Sequence, residues 1–99
     1  MSLYVVTMRC PALDGLPAVH AHLGYAHDFY RVTSGSSGIA SVGTWILCTN
    51  EDASWWYDRL NGFAKPDGSL LVVRLSEDDY RGYMETRFWD WFAAHAGCV

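Results

Sequence analysis

Apolar residues recur along this chain in two rhythms, at every second position and at every third or fourth. Leu3 to Met8 (Leu-Tyr-Val-Val-Thr-Met) is rich in β-branched and aromatic residues and predicts a first strand, closed by Pro11. Leu16, Val19 and Leu23 then repeat at helical spacing. With Asp14 as cap and Pro17 in the first turn, they predict a short helix over Leu16 to Tyr25. Asp28 to Thr33 predicts a second strand, Ser34-Gly35-Ser36-Ser37-Gly38 a turn, and Ile39 to Cys48 the returning strand of a hairpin.

A second helix follows, capped by Asn50 or Thr49, with Glu51 and Asp52 placing negative charge at its positive end. Ala53, Trp56, Leu60 and Phe63 form its apolar face, and Gly62 and Pro66 end it. Asp67-Gly68 turns the chain into a fourth strand, Ser69 to Leu75. Ser76 with Asp79 resembles a capping box and predicts a third helix. Its stripe is the longest in the chain: Tyr80, Tyr83, Met84, Phe88, Trp91, Phe92 and His95.

The resulting order is β-α-β-β-α-β with an added C-terminal helix. It predicts an α+β, ferredoxin-like sandwich with a four-stranded antiparallel sheet, as one domain over residues 1–99. Right-handed crossovers put the first two helices on one face and the first and third strands in the middle. Strand residues alternate between faces. Trp45 and Leu47 oppose Thr44, Ile46 and Cys48; Leu71, Val73 and Leu75 oppose Leu70, Val72 and Arg74. Both faces are therefore mainly apolar. The second face needs the third helix, a second copy of the chain, or both. A homodimer is the expectation, with Tyr80, Tyr83, Met84, Phe88, Trp91 and Phe92 near the contact.

Composition sharpens this picture. A chain of 99 residues buries roughly 65% of its unfolded surface, yet this one carries five Trp and six Tyr. So much aromatic surface in so small a domain suits burial against a partner. Seven basic residues are scattered against eleven acids, for a net charge of −4, which speaks against a sequence-independent grip on nucleic acid. Cys10, Cys48 and Cys98 form no CxxC pair and are expected to be three reduced thiols of a cytoplasmic protein. No basic and apolar leader and no membrane-length apolar run is apparent.

Candidate chemistry is sparse. His20 and His22 on one helix point about 200° apart at ~100° per residue, so they do not chelate a metal together, and His27 lies beyond them. His95 and Cys98 give two ligands where zinc wants four. Glu77-Asp78-Asp79 reads as helix N-terminal electrostatics. Asp14 is the one acid near the end of a central strand and the weak catalytic candidate; capping is its alternative role. Trp45, Trp55, Trp56, Trp89 and Trp91 suit either a base-stacking platform or core and interface packing, and the missing Lys and Arg beside them favour packing. No phosphate-binding loop and no nucleophile elbow is found. No cofactor and no metal is expected.

Tyr4-Val5-Val6, Thr44-Trp45-Ile46-Leu47-Cys48-Thr49-Asn50, the acid-started helix after it, and Pro66-Asp67-Gly68-Ser69-Leu70-Leu71-Val72-Val73-Arg74-Leu75 together resemble the small CRISPR-associated Cas-two family, in particular its compact SinR-like relatives. The resemblance spans nearly the whole chain on short hydrophobic motifs. It implies a ferredoxin-like fold, a homodimer and, for active members, a metal-dependent phosphodiesterase or a structural role in spacer integration. The family's metal-binding Asp closes the first strand, where this chain has Thr7-Met8. Neither side chain ligates a hard cation well, so the resemblance transfers no catalytic residue. It implies a non-catalytic scaffold or interaction protein of a nucleic-acid defence system. The rival readings are a Mg²⁺-dependent endonuclease using a displaced acid such as Asp14, and a small phage or mobile-element protein that binds a host defence protein.

Overall fold

The computed structural model describes residues 1–11, 15–37, 40–76, 82–95 and 98, with the side chains of 34–37 and 40 excepted. Four strands and three helices follow one another as β1 (Ser2–Cys10), α1 (Gly15–Leu23), β2 (Asp28–Ser37), β3 (Ala40–Thr49), α2 (Ala53–Ala64), β4 (Ser69–Arg74) and α3 (Thr86–Ala94). They form an α+β fold around one open sheet of order β2-β3-β1-β4, with every neighbouring pair antiparallel. β1 and β3 take the middle, as their apolar composition requires, and β2 and β4 are the edges.

The alternation read along the strands is the alternation observed. One face carries Tyr4, Val6, Met8, Trp45 and Leu47, and packs against Val19 and Leu23 of α1 and Trp56, Leu60 and Ala64 of α2. The other face carries Leu3, Ile46 and Cys48, and packs against Phe88 and Phe92 of α3. The period-two pattern sorts each strand's side chains into two cores because helices cover both sides. Gly43 is a consequence of the first core. The Trp45 ring lies where a Cβ on Gly43 would stand, so a side chain there displaces a fully buried indole.

Several boundaries differ from the expectation. The run Ser34–Ser37 belongs to β2 and not to a turn, since its backbone pairs with β3 from Ser34↔Gly43 to Ser37↔Ala40. A ladder needs backbone groups, not side chains, so Gly and Ser are carried along by their partner strand. The cap of α2 is Asp52, whose Oδ1 accepts from the Trp55 amide at 2.8 Å. Thr49, expected as a cap, accepts instead from the Glu51 amide and from Trp56 Nε1 at 3.1 and 3.2 Å. Gly62 does not end α2, which continues to Ala64. A single glycine costs about 1 kcal/mol in a helix, less than the burial of Ala64 and Phe63 beyond it restores.

The largest correction concerns α3. It begins at Thr86, and residues 82–85, which include Tyr83 and Met84, are not helical. Tyr80 and Asp79 lie outside the described residues. Among the described residues, the apolar spacing that suggested one long helix is thus shared between a non-helical segment and a short helix. The second correction is chemical. Cys48 and Cys98 form a disulfide, and Cys10 alone is a free buried thiol, where three reduced thiols were expected. The pairing is illegible in sequence because the partners stand 50 residues apart. Packing of α3 beneath β3 is what returns Cys98 to Cys48.

Candidate functional site

On the second sheet face, α3 covers one end and exposed apolar side chains remain at the β4 edge. Across it, Leu71 of β4 pairs with Thr7 of β1, and Thr7 with Thr44 of β3. The next row on that face is Val73, Val5 and Ile46. The two threonine hydroxyls satisfy each other at 3.0 Å, so this row stays neutral and dry enough to pack. Phe88 and Phe92 of α3 lie over the Ile46 end. A groove of about 220 Å³ separates helix and sheet, lined by Val5, Thr44, Ile46, Met84, Trp89 and other apolar groups. Beyond it, on the edge strand, Leu71 is 57% and Val73 44% exposed, although both belong to the apolar side of β4.

α3 is anchored to β2 by polar contacts at both ends. At its start, the Tyr30 hydroxyl donates to Glu85 at 2.5 Å, and Arg87 lies 3.6 Å from the same carboxylate. That hydrogen bond raises the Tyr30 phenol above its ordinary range and lowers the Glu85 carboxyl below its own. At the far end, His95 Nδ1 lies 2.7 Å from the Trp91 carbonyl and Nε2 2.7 Å from Asp28 Oδ2, with the Trp91 ring stacked 4.0 Å away. These contacts fix where the helix sits, and therefore where the groove ends and the bare edge begins.

The residues expected at an interface are distributed as follows. Phe88 and Phe92 are buried against the chain's own sheet, Met84 and Trp91 are half-buried beside them, and Tyr83 stands fully exposed. Tyr80 and Asp14, the weak catalytic candidate, lie outside the described residues. Met8, at the position of the resembled family's metal-binding Asp, is buried in the first core. Among the described residues, no three His, Cys, Asp or Glu side chains converge in a way that could hold a metal ion. No known family model and no curated protein matches this chain.

The five tryptophans do not share a surface. Trp45 and Trp56 are fully buried in the first core, Trp55 is half-buried against it, and Trp89 and Trp91 border the second. The histidines are likewise apart. His20 packs edge-on to Trp45 and Phe29, whereas His22 meets Phe63 and Tyr25. Burial lowers the His20 imidazole below its ordinary range, and positive Arg31 adds to the effect. The unfolded chain then binds this proton more readily than the folded one. Stability is therefore expected to hold above about pH 6.5 and to fall as pH drops through the lowered folded value. Urea midpoints measured against pH should show that fall, and His20→Gln should flatten it; an equal slope in the variant removes His20 as the cause. Among the described residues no helix is long and apolar enough to cross a membrane.

Proposed function

We propose that this chain is a non-catalytic, homodimeric scaffold or interaction protein of ferredoxin-like class, the reading that its Cas-two-like resemblance favours. The strand order β2-β3-β1-β4 with β1 and β3 central supports the class. The observation that carries the dimer is the β4 edge. There, among the described residues, no strand pairs with the outer side of β4, beside exposed Leu71 and Val73, and such an edge is a template for another strand. A second copy offers the same surface in self-complementary form, as a two-fold contact requires. Exposed Tyr83 is a further aromatic group for the contact.

Met8 in the core in place of a ligating acid supports the non-catalytic part. Association with a nucleic-acid defence system follows from the resemblance alone. A cytoplasmic setting would keep Cys48 and Cys98 as thiols, so that placement goes with the reduced form of this pair. The test is mass by light scattering on a sizing column at micromolar concentration. The wild type is expected as a dimer, and Leu71→Lys, an exposed position whose change costs the subunit within about 0.5 kcal/mol, as a monomer. A monomeric wild type ends the proposal.

A further inference from the structure

On the opposite side of the molecule, between α1 and α2, lies a hollow of about 420 Å³ lined by His22, Trp55, Asp58 and Arg59. Arg59 projects from α2 into the corner between two aromatic rings. Its Cζ stands 4.5 Å from the Tyr25 centroid and 4.4 Å from that of Trp55, with the rings 6.4 Å apart and 69° from parallel. This packing seats the guanidinium against both rings, and Arg59 is half-buried. Yet among the described residues no carboxylate lies within ion-pair distance of Arg59, and no carbonyl accepts from it. Asp58 borders the hollow without pairing with it. A fixed, partly desolvated fork of N–H donors without an acceptor is costly to keep and suited to a bidentate oxyanion.

His22 adds a second group. Its Nδ1 is buried with no hydrogen-bond partner among the described residues. A bare acceptor is tolerated there better than an orphaned N–H, which places the ring proton on Nε2. His22 thus brings a donor to the border of the same hollow. We propose that Arg59, held by Tyr25 and Trp55 and flanked by His22, forms a binding site for a carboxylate or phosphate oxyanion. The site is independent of the dimer contact, since β4 and α3 contribute nothing to it.

Two properties of the site make it testable with simple probes. Trp55 is in contact with the ligating cation, so its fluorescence and the Arg59 Nε–H resonance report occupancy. Asp58 opposes the bound charge. Inorganic phosphate and acetate are titrated separately, with chloride at matched ionic strength as control. A saturable response to either, absent with chloride, is expected. It should weaken at least tenfold in Arg59→Gln and in Arg59→Lys, which keeps the charge and loses the fork, and should strengthen in Asp58→Asn. Tighter binding of phosphate assigns the tetrahedral anion, and tighter binding of acetate the carboxylate. His22→Asn, in which the Arg59 seat is intact, is expected to weaken binding several-fold with unchanged circular dichroism. A response no larger than that of chloride, or one equal in wild type and Arg59→Gln, overturns the proposal.

Discussion

Replacing Trp56 by Ala is expected to cost about 3–5 kcal/mol of folding stability. The side chain is fully buried between α2 and the first sheet face, among Leu60, Leu47 and Trp45. Its removal takes away the transfer free energy of a large ring and leaves a void that strands in a paired ladder cannot close. A second loss adds to the first. Trp56 Nε1 donates to Thr49 Oγ1 at 3.2 Å, and Thr49 is itself buried. The two losses separate experimentally. Trp56→Phe keeps most of the volume and gives up the hydrogen bond, and should cost about 1–2 kcal/mol. Domains of this size are stable by roughly 5–15 kcal/mol, so the alanine variant should lose a large share of the total. Urea unfolding followed by circular dichroism reads both values from the midpoint at unchanged slope. A cost under 1 kcal/mol for Trp56→Ala would show that this ring is not the keystone of the first core.

The same residue shows why the helical face of α2 was legible. Ala53, Trp56, Leu60 and Phe63 repeat at a helical period because they meet one surface, and all four pack in the first core. The strands were legible for the same reason. Trp45 and Leu47 point to one core and Ile46 and Cys48 to the other, as alternation requires. Element order and the central places of β1 and β3 followed from those patterns and from crossover handedness. Features set by backbone pairing or by contacts distant in sequence were hidden. Ser34–Ser37 extends β2 through its ladder with β3, a property of the partner strand and not of four small residues. The start of α3 at Thr86 was masked because Tyr83 and Met84 continue an apolar spacing that the chain uses outside a helix.

The candidate site was legible in part. An apolar second face was read from Leu71, Val73 and Ile46, but α3 covers the Ile46 end and leaves Leu71 and Val73 bare. Which end a helix covers depends on Tyr30–Glu85 and His95–Asp28, pairs separated by 55 and 67 residues that no local pattern announces. The Arg59 hollow was missed for a related reason. Trp55 and Arg59 lie on α2 and Tyr25 in the turn after α1, and weighing the tryptophans as one platform hid that one of them, Trp55, has Arg59 over its ring.

Breaking the Cys48–Cys98 bond is the second change expected to have a large effect. In the chain-entropy account, a bridge across 50 residues is worth about 4 kcal/mol through the unfolded state. Cys98→Ala is the cleaner variant, because it places no hydroxyl in the second core, where Cys98 is buried beside Phe88 and Phe92. The cost should appear at unchanged native structure of the first core, which the bridge does not touch. α3 should loosen first, seen as faster amide exchange over Thr86–Ala94 and altered emission from Trp89 and Trp91. Two controls make the assignment strict. A dithiol reductant should lower wild-type stability to that of Cys98→Ala and leave the variant unmoved. Cys48→Ala/Cys98→Ala should cost little more than the single change, because one bond is lost in both. Thiol titration of the unfolded, unreduced chain decides whether the bond exists at all. One reactive thiol, that of Cys10, is expected, and three would return all the cysteines to the reduced state first inferred from their spacing.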